Sequence, residues 1–274
     1  MTLCIKNLQS NNNSLLSVSC TTHQGSCLQK AIKLAESLHL PFQEDGCSWR
    51  GPSLIYTETR LEFHHNSVDG GANQGPLFVD FLSGGNSFRR QHNCTIKQPL
   101  ARAVGIKSGF RPTIVDGTAG MGRDGFVLAC LGCSVTMVER SPVLGALLKD
   151  GLERAMEDAL VGNILKEKIR LICGDTRTVL AMLPEKPYTV YLDPMYPKRT
   201  GSALNKKEMR IIRSLVGDDQ DSSLLLASAL QSAANRVVVK RPKEAAPLAG
   251  SPPSHEIRMK NNRFDVYLTG LVQP

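Results

Sequence analysis

Two short stretches of this chain carry residue types that could do chemistry together. The first is Val115-Asp116-Gly117-Thr118-Ala119-Gly120-Met121-Gly122-Arg123-Asp124. Its apolar Ile114-Val115 reads as the end of a buried strand, followed by an acidic, glycine-rich turn and the apolar start of a helix. Glycine lets a backbone reach positive φ and approach a ligand closely, and a helix N-terminus attracts a carboxylate or phosphate. The second stretch, Tyr191-Leu192-Asp193-Pro194-Met195-Tyr196-Pro197, suits a planar amine. Together they suggest a methyl donor held beside an amino group on a nucleobase.

The donor side could be read in two ways. Gly120-Met121-Gly122-Arg123-Asp124-Gly125 matches G-x-G-x-x-G, and Glu139 follows Gly120 at the end of the next strand, so a nicotinamide dinucleotide has to be weighed. In that fingerprint the glycines follow the strand almost at once. Here Asp116-Gly117-Thr118-Ala119 intervenes, and the acid at the strand tip would repel a pyrophosphate. Asp116 can instead accept from the positive amino-acid end of S-adenosylmethionine, or hold the loop. Glu139 would take the two ribose hydroxyls, Arg123 and Asp124 would grip the methionyl carboxylate and amine, and Asp175 with Thr176 would meet the adenine. Each acid alone reads equally as a loop or cap residue. Asp116 and Glu139 carry more weight because both end adjacent predicted strands, at the edge where open α/β sheets bind ligands.

On the acceptor side, an exocyclic amine on a base is a poor nucleophile, because its lone pair is delocalised into the ring. Two acceptors aimed at its hydrogens favour the pyramidal form that attacks a methyl group. The Asp193 carboxylate and the Pro194 carbonyl could supply them, and the ring of Tyr196 could stack the base. Alone, Asp-Pro after a strand is an ordinary turn signal. Basic residues gather near both stretches. Asn86 to Arg111 holds six Lys or Arg and no acid, and Tyr196 to Arg213 holds six with only Glu208 against them. Lys206, Arg210 and Arg213 share one helical face. Arg89, Arg90, Lys206, Lys207, Arg210, Lys240 and Arg241 are candidate phosphate contacts, which position a nucleic acid without reading its sequence.

The elements that must position these residues alternate regularly from residue 112. Strands are expected at Thr113-Val115, Val135-Val138, Ile169-Cys173, Thr189-Leu192 and Arg236-Lys240. Helices are expected over 123–131, 142–160, 176–183, 203–215 and 221–234. Such alternation predicts a parallel sheet covered on both faces. Glu256-Met259 and Phe264-Leu268 then read as an antiparallel hairpin. Upstream, Cys27–Leu38 has helical spacing, Ser53-Tyr56, Arg60-Phe63 and Pro76-Leu82 look like strands, and Leu100–Ile106 a short helix. The division is a small N-terminal α+β domain over 1–95 and a ligand-binding domain over 96–274.

Composition is ordinary for a folded globular chain of 274 residues, with 33 basic against 25 acidic residues and a net charge of +8. That favours an anionic partner without requiring one. The eight cysteines are scattered; Cys130-x-x-Cys133 lies in an apolar context without a second pair or a nearby His, so no metal site is expected. No leader pattern and no apolar run near the ~18 residues of a membrane span is present, which points to a cytoplasmic protein.

At the level of whole motifs, the chain from about Gly75 onward resembles the bacterial 16S ribosomal RNA (guanine-1516-N2)-methyltransferases. The resemblance rests on Phe78-Val79-Asp80-Phe81, Arg89-Arg90, Ala103-Val104-Gly105-Ile106-Lys107, the Asp116–Asp124 loop, Glu139-Arg140, Tyr191–Pro197, Lys206-Lys207-Glu208-Met209-Arg210, Val237–Pro242 and Arg263-Phe264-Asp265-Val266-Tyr267. It implies a Rossmann-like class I methyltransferase fold, a mostly parallel seven-stranded sheet with a C-terminal antiparallel hairpin. It also implies S-adenosylmethionine as donor and the N2 amine of one guanine in 16S rRNA, alone or in the small ribosomal subunit, as acceptor. Arg123-Asp124, Glu139-Arg140, Asp175-Thr176 and Asp193 carry over as cofactor contacts, while the first fifty residues match weakly. Competing readings are an N6-adenine or other planar-amine methyltransferase, a nicotinamide oxidoreductase, and a non-catalytic RNA-binding protein that keeps the fold.

Overall fold

The structure is a computed structural model and describes residues 16–22, 24–44, 51–65, 75–83, 95–195, 211–213, 215 and 221–270. The chain divides into two compact units. One is drawn from Met1–Asp80, Ser141–Arg154 and Pro197–Gly217, the other from Phe81–Arg140, Ala155–Tyr196 and Asp218–Pro274.

In the first unit β1 (Ser17–Cys20), α1 (Gly25–Leu38), β2 (Phe42–Gln43), β3 (Ser53–Tyr56) and β4 (Leu61–His64) follow in sequence. The strands form one sheet in the order β2-β1-β3-β4, with β1 parallel to both neighbours and β3 antiparallel to β4. Parallel pairing requires a crossover, which α1 provides between β1 and β2. Ala31, Ala35 and Leu38 recur at helical spacing on the buried face of α1. β1 and β2 are additions to the sequence expectation. The strand expected at 76–82 is not one: its ladder is the single bridge between Leu77 and Phe63. The next residue placed to bond that neighbour is Val79, and its carbonyl accepts from the Arg154 guanidinium instead of a neighbouring strand.

The second unit opens with α2 (Pro99–Ala103). There follow β5 (Ile114–Asp116), α3 (Arg123–Cys130), β6 (Val135–Glu139), α4 (Pro142–Met156), α5 (Gly162–Lys168), β7 (Ile169–Cys173), α6 (Thr176–Met182), β8 (Thr189–Leu192), α7 (Ser222–Ser232), β9 (Arg236–Pro242), β10 (His255–Arg258) and β11 (Asn262–Leu268). Residues of α4 up to Arg154 belong to the first unit. The seven strands form one sheet in the order β10-β11-β9-β8-β5-β6-β7. β9, β8, β5, β6 and β7 run parallel, and β11 and β10 are antiparallel additions at one edge.

Strand alternation assigns the faces. Val190 and Leu192 of β8 and Val237 and Val239 of β9 pack with Leu180 of α6 and Leu226 and Ala229 of α7. Thr189 points the other way, where its hydroxyl donates to the Val104 carbonyl after α2 at 2.8 Å. The single helix expected over 142–160 is instead two, α4 and α5. Asp158 ends the first by accepting from the Leu160 and Val161 amides at 2.9 and 3.0 Å, an Asx turn. Gly162 then sits where a Cβ would collide with the Met156 carbonyl.

Candidate active site

The strand order brings four strand tips and one strand-borne cation into a row along the carboxyl edge: Lys240 on β9, Asp193 after β8, Asp116 on β5, Glu139 on β6 and Asp175 after β7. β5 has strands on both sides and no room for solvent at its tip, so Asp116 is 2% exposed. Its Oδ1 accepts from the Thr118 amide at 3.3 Å. Burial above all, then the nearby Asp124, pushes its carboxyl up to about 8; the Thr118 bond and Lys240 act against that rise.

The turn after β5 is pinned on both sides. Gly117 N–H donates to the Tyr191 carbonyl at 2.9 Å and Ala119 N–H to the Val138 carbonyl at 3.0 Å. Gly120 and Gly122 have φ of +54° and +71°, a left-handed backbone that a side chain would oppose. That conformation turns the Gly120 N–H onto Glu139 Oε2 at 2.7 Å, so the loop fixes the orientation of a carboxylate that is only 5% exposed. Thr176 is buried below, its hydroxyl donating to the Gly117 carbonyl at 2.6 Å. It supports the loop from underneath.

The acceptor tip is tied to the same loop. Asp193 N–H donates to Thr118 Oγ1 at 2.6 Å. Asp124, in the first turn of α3, accepts from the Tyr191 hydroxyl at 2.7 Å and from Lys240 Nζ at 2.9 Å. Lys240 Nζ also donates to Asp193 Oδ2 at 2.9 Å. Burial alone would lower the Lys240 ammonium, but Asp193 and Asp124 outweigh it and hold Lys240 above the usual lysine range. Burial and then Asp124 raise the Tyr191 phenol well above its ordinary value, so it stays a neutral donor.

Asp175 and Arg140 lie in a different arrangement. Asp175 caps α6, accepting from the Arg177 amide at 2.8 Å and from Arg177 Nη2 at 2.6 Å. Arg177 thereby holds the Asp175 carboxyl below the usual range. Arg140 pairs with Asp221 at 3.0 Å and Arg177 reaches the same carboxylate at 3.4 Å. Four residues thus form an ion-pair network beyond the β6 and β7 tips.

The structure places Asp116, Gly120, Gly122, Asp124, Glu139 and Asp193 along one edge, whereas Thr176, expected at the adenine, turns its hydroxyl to the Gly117 carbonyl. Arg123 is exposed at the start of α3 and Pro194 is buried beside Asp193. Lys240 is engaged by two carboxylates, and Arg241 is 8% exposed with its guanidinium on the Ala246 carbonyl. Tyr196, Arg89, Arg90, Lys206, Lys207 and Arg210 lie outside the described residues. Thr118, Tyr191 and Asp221 escaped the sequence reading. For Tyr191 the available signal was its place in β8 beside β5; for Asp221 there was none, since Arg140 is 81 residues away.

These residues fit S-adenosylmethionine. Acids dominate the edge, which suits a ligand with a sulfonium and an ammonium rather than a pyrophosphate. A buried carboxylate with one oxygen already fixed, Glu139, is preorganised for a diol. Among the described residues no group of three or more His, Cys, Asp or Glu could hold a metal ion, and no helix is long and apolar enough to cross a membrane.

Comparison with known proteins agrees. The SAM_MT family model, SAM-dependent methyltransferase, matches residues 33–269. A protein of Desulfotalea psychrophila, ribosomal RNA small subunit methyltransferase J, is 50% identical over 88% of this chain and 92% of its own length. The protein of the same name from Thioalkalivibrio sulfidiphilus is 55% identical over 88% of this chain and 94% of its own. The crystal structure of a SAM-dependent methyltransferase from Neisseria gonorrhoeae superposes with a TM-score of 0.72 at 31% identity, covering 92% of this chain and 96% of that one. With its carboxyl-edge acids, glycine turn and sheet order in place, the chain belongs to the ribosomal RNA small subunit methyltransferase J family of SAM-dependent methyltransferases.

Proposed function

We propose that this chain transfers a methyl group from S-adenosylmethionine to the exocyclic N2 amine of a guanine in small-subunit ribosomal RNA, guanine 1516 by the family resemblance, in the cytoplasm. The observation that carries the reading is the Asp193–Thr118 bond of 2.6 Å, which makes the acceptor tip and the donor loop a single piece. A planar amine held at Asp193 therefore faces whatever the loop holds. The relatives' names, ribosomal RNA small subunit methyltransferase J, support the acceptor class.

The bound donor supplies an electrophilic methyl and a neutral thioether leaving group. The residues of the chain do the rest by alignment. Glu139 takes the ribose hydroxyls. Asp116 faces the positive amino-acid end, and Arg123 and Asp124 meet its carboxylate and amine. Asp175 and Arg140 border the adenine end. Asp193 and the Pro194 carbonyl accept the two N2 hydrogens, and Tyr196 stacks on the base. The donor would give up its methyl carbon and keep the C–S electron pair on sulfur, while Asp193 and the Pro194 carbonyl hold the amine, whose surplus proton would pass to water. No strong base is required.

Nucleoside analysis of 16S rRNA from strains with and without the protein tests this reading, together with methyl transfer in vitro to small-subunit particles from the deficient strain. One N2-methylguanosine per particle is expected to depend on the protein. Methylation of adenine, or no transfer to either particles or naked 16S rRNA, would overturn the proposal.

A further inference from the structure

Lys240 lies where sequence reasoning expects a phosphate contact, yet its surroundings are anionic. β9 pairs with β8 so that Val239 is opposite Leu192, which sets Lys240 level with Asp193 one residue past the ladder. Its ammonium is 2.9 Å from Asp193 Oδ2 and 2.9 Å from Asp124 Oδ2. The side chain is 26% exposed, against 39% for Asp193 and 20% for Asp124. At that depth two charge-assisted hydrogen bonds are only partly screened.

Among the described residues, charged and titratable groups around Asp193 come from four elements: Lys240 on β9, Asp116 on β5, Tyr191 on β8 and Asp124 on α3. With Asp193 itself, three of these five groups are carboxyls and one is a cation. To reach a phosphate, Lys240 would have to leave both of its carboxylate partners, Asp193 and Asp124, which would then repel the same polyanion. Its place suits work inside the site.

We propose that Lys240 is a positioning residue for methyl transfer, its ammonium joining the acceptor-binding Asp193 to the donor-loop Asp124 and keeping Asp193 an ionised acceptor. The inference rests on the methyl-transfer reading above. The chemistry follows from what a carboxyl can do. Ionised, Asp193 only accepts, and so draws on an N2 hydrogen. Protonated, it presents an O–H and loses that pull. With Lys240 replaced by a neutral residue, the carboxyls at this edge lose the charge of its ammonium, and one of them takes up a proton at higher pH than before.

The test compares wild type, Lys240→Met, Lys240→Gln and Lys240→Arg as full-length proteins acting on small-subunit particles from the deficient strain, across pH and salt. For Lys240→Met, kcat should fall about tenfold or more near neutrality, the scale that a misplaced reacting group costs. The acid limb of the profile should move up by about one pH unit or more, the scale of a lost opposite charge. KM for particles and the salt dependence should change little, and Lys240→Arg should restore the acid limb. Lys240→Gln keeps a donor without the charge and carries the same pH shift should Lys240→Met fold poorly. An unmoved acid limb with a raised KM and a shallower salt slope would mean a phosphate contact and overturn the proposal. A second readout is independent of turnover: in urea unfolding, Asp193→Ala and Lys240→Met should shift the midpoint non-additively, and additive shifts would sink the tie even if wild type methylates nothing. Wild type inactive on particles, with the coupling present, would count against the proposed acceptor alone.

Discussion

Asp116 offers a direct thermodynamic measurement of how dry the donor site is. Its carboxyl stands at about 8 in the folded protein, up from 3.8, because burial and neighbouring Asp124 disfavour the charge. The folded state therefore binds one more proton than the unfolded chain between those two values. Stability from this group is complete below about pH 4 and is lost progressively as pH rises towards 8. Asn at the same position has the same shape, can still accept from the Thr118 amide, and does not titrate. The Asp116→Asn protein should thus gain on wild type by about 1.4 kcal/mol per pH unit across this window. Roughly three units separate 3.8 from neutrality, so the accumulated difference at pH 7 is about 4 kcal/mol, an upper figure if water relaxes around the charge. Urea unfolding of both proteins at intervals from pH 4.5 to 8.5 measures it. A constant offset between them reflects only how well the amide fits. A flat difference over that range, or one that favours wild type increasingly with pH, would refute the claim that the β5 tip is desolvated.

Three further outcomes follow from the same geometry. A cationic donor should favour ionised Asp116, so S-adenosylmethionine binding near pH 7 should release protons; calorimetric enthalpies that do not vary between buffers of different ionisation heat would count against it. Asp193→Ala should reduce methyl transfer by about a hundredfold or more while leaving the unfolding midpoint within a few tenths molar urea, since the lost group is half-exposed and acts on the acceptor; near-normal turnover would remove Asp193 from the mechanism. Gly125→Ala should destabilise the protein by about 1–3 kcal/mol despite alanine's better helix propensity, because the new Cβ would stand 2.6 Å from Met137 Cε and 3.1 Å from Asp116 Oδ2; an unchanged midpoint would show that the Met137 side chain swings aside at no cost.

The donor loop was legible because its cause is local. A strand end, a turn requiring left-handed glycines and a helix start follow one another within Val115–Asp124, and each is a choice of backbone conformation that neighbouring residues make. The parallel strands were legible for a similar reason: short apolar runs alternating with helical spacing leave few sheet topologies. Pro76–Leu82 misled, because an apolar run reads as a strand whether or not a neighbour offers a ladder, and here Arg154, far along the chain, takes the Val79 carbonyl. Asp158 broke a helix that apolar spacing alone would have continued, through side-chain acceptance from two amides.

By itself the sequence determined the acids, glycines and strand pattern, and with them the family and the kind of ligand the carboxyl edge could take. Tertiary structure alone decided which groups act together there. Asp124 and Lys240 are 116 residues apart and Tyr191 and Asp124 are 67 apart, distances over which no periodicity carries information. Only the order β9-β8-β5 closes them to hydrogen-bonding range and turns a candidate phosphate contact into the cation between two carboxylates. The physical reason is that a side chain's charge state and partners depend on the low-dielectric surroundings that packing creates, and packing joins residues the chain itself keeps far apart.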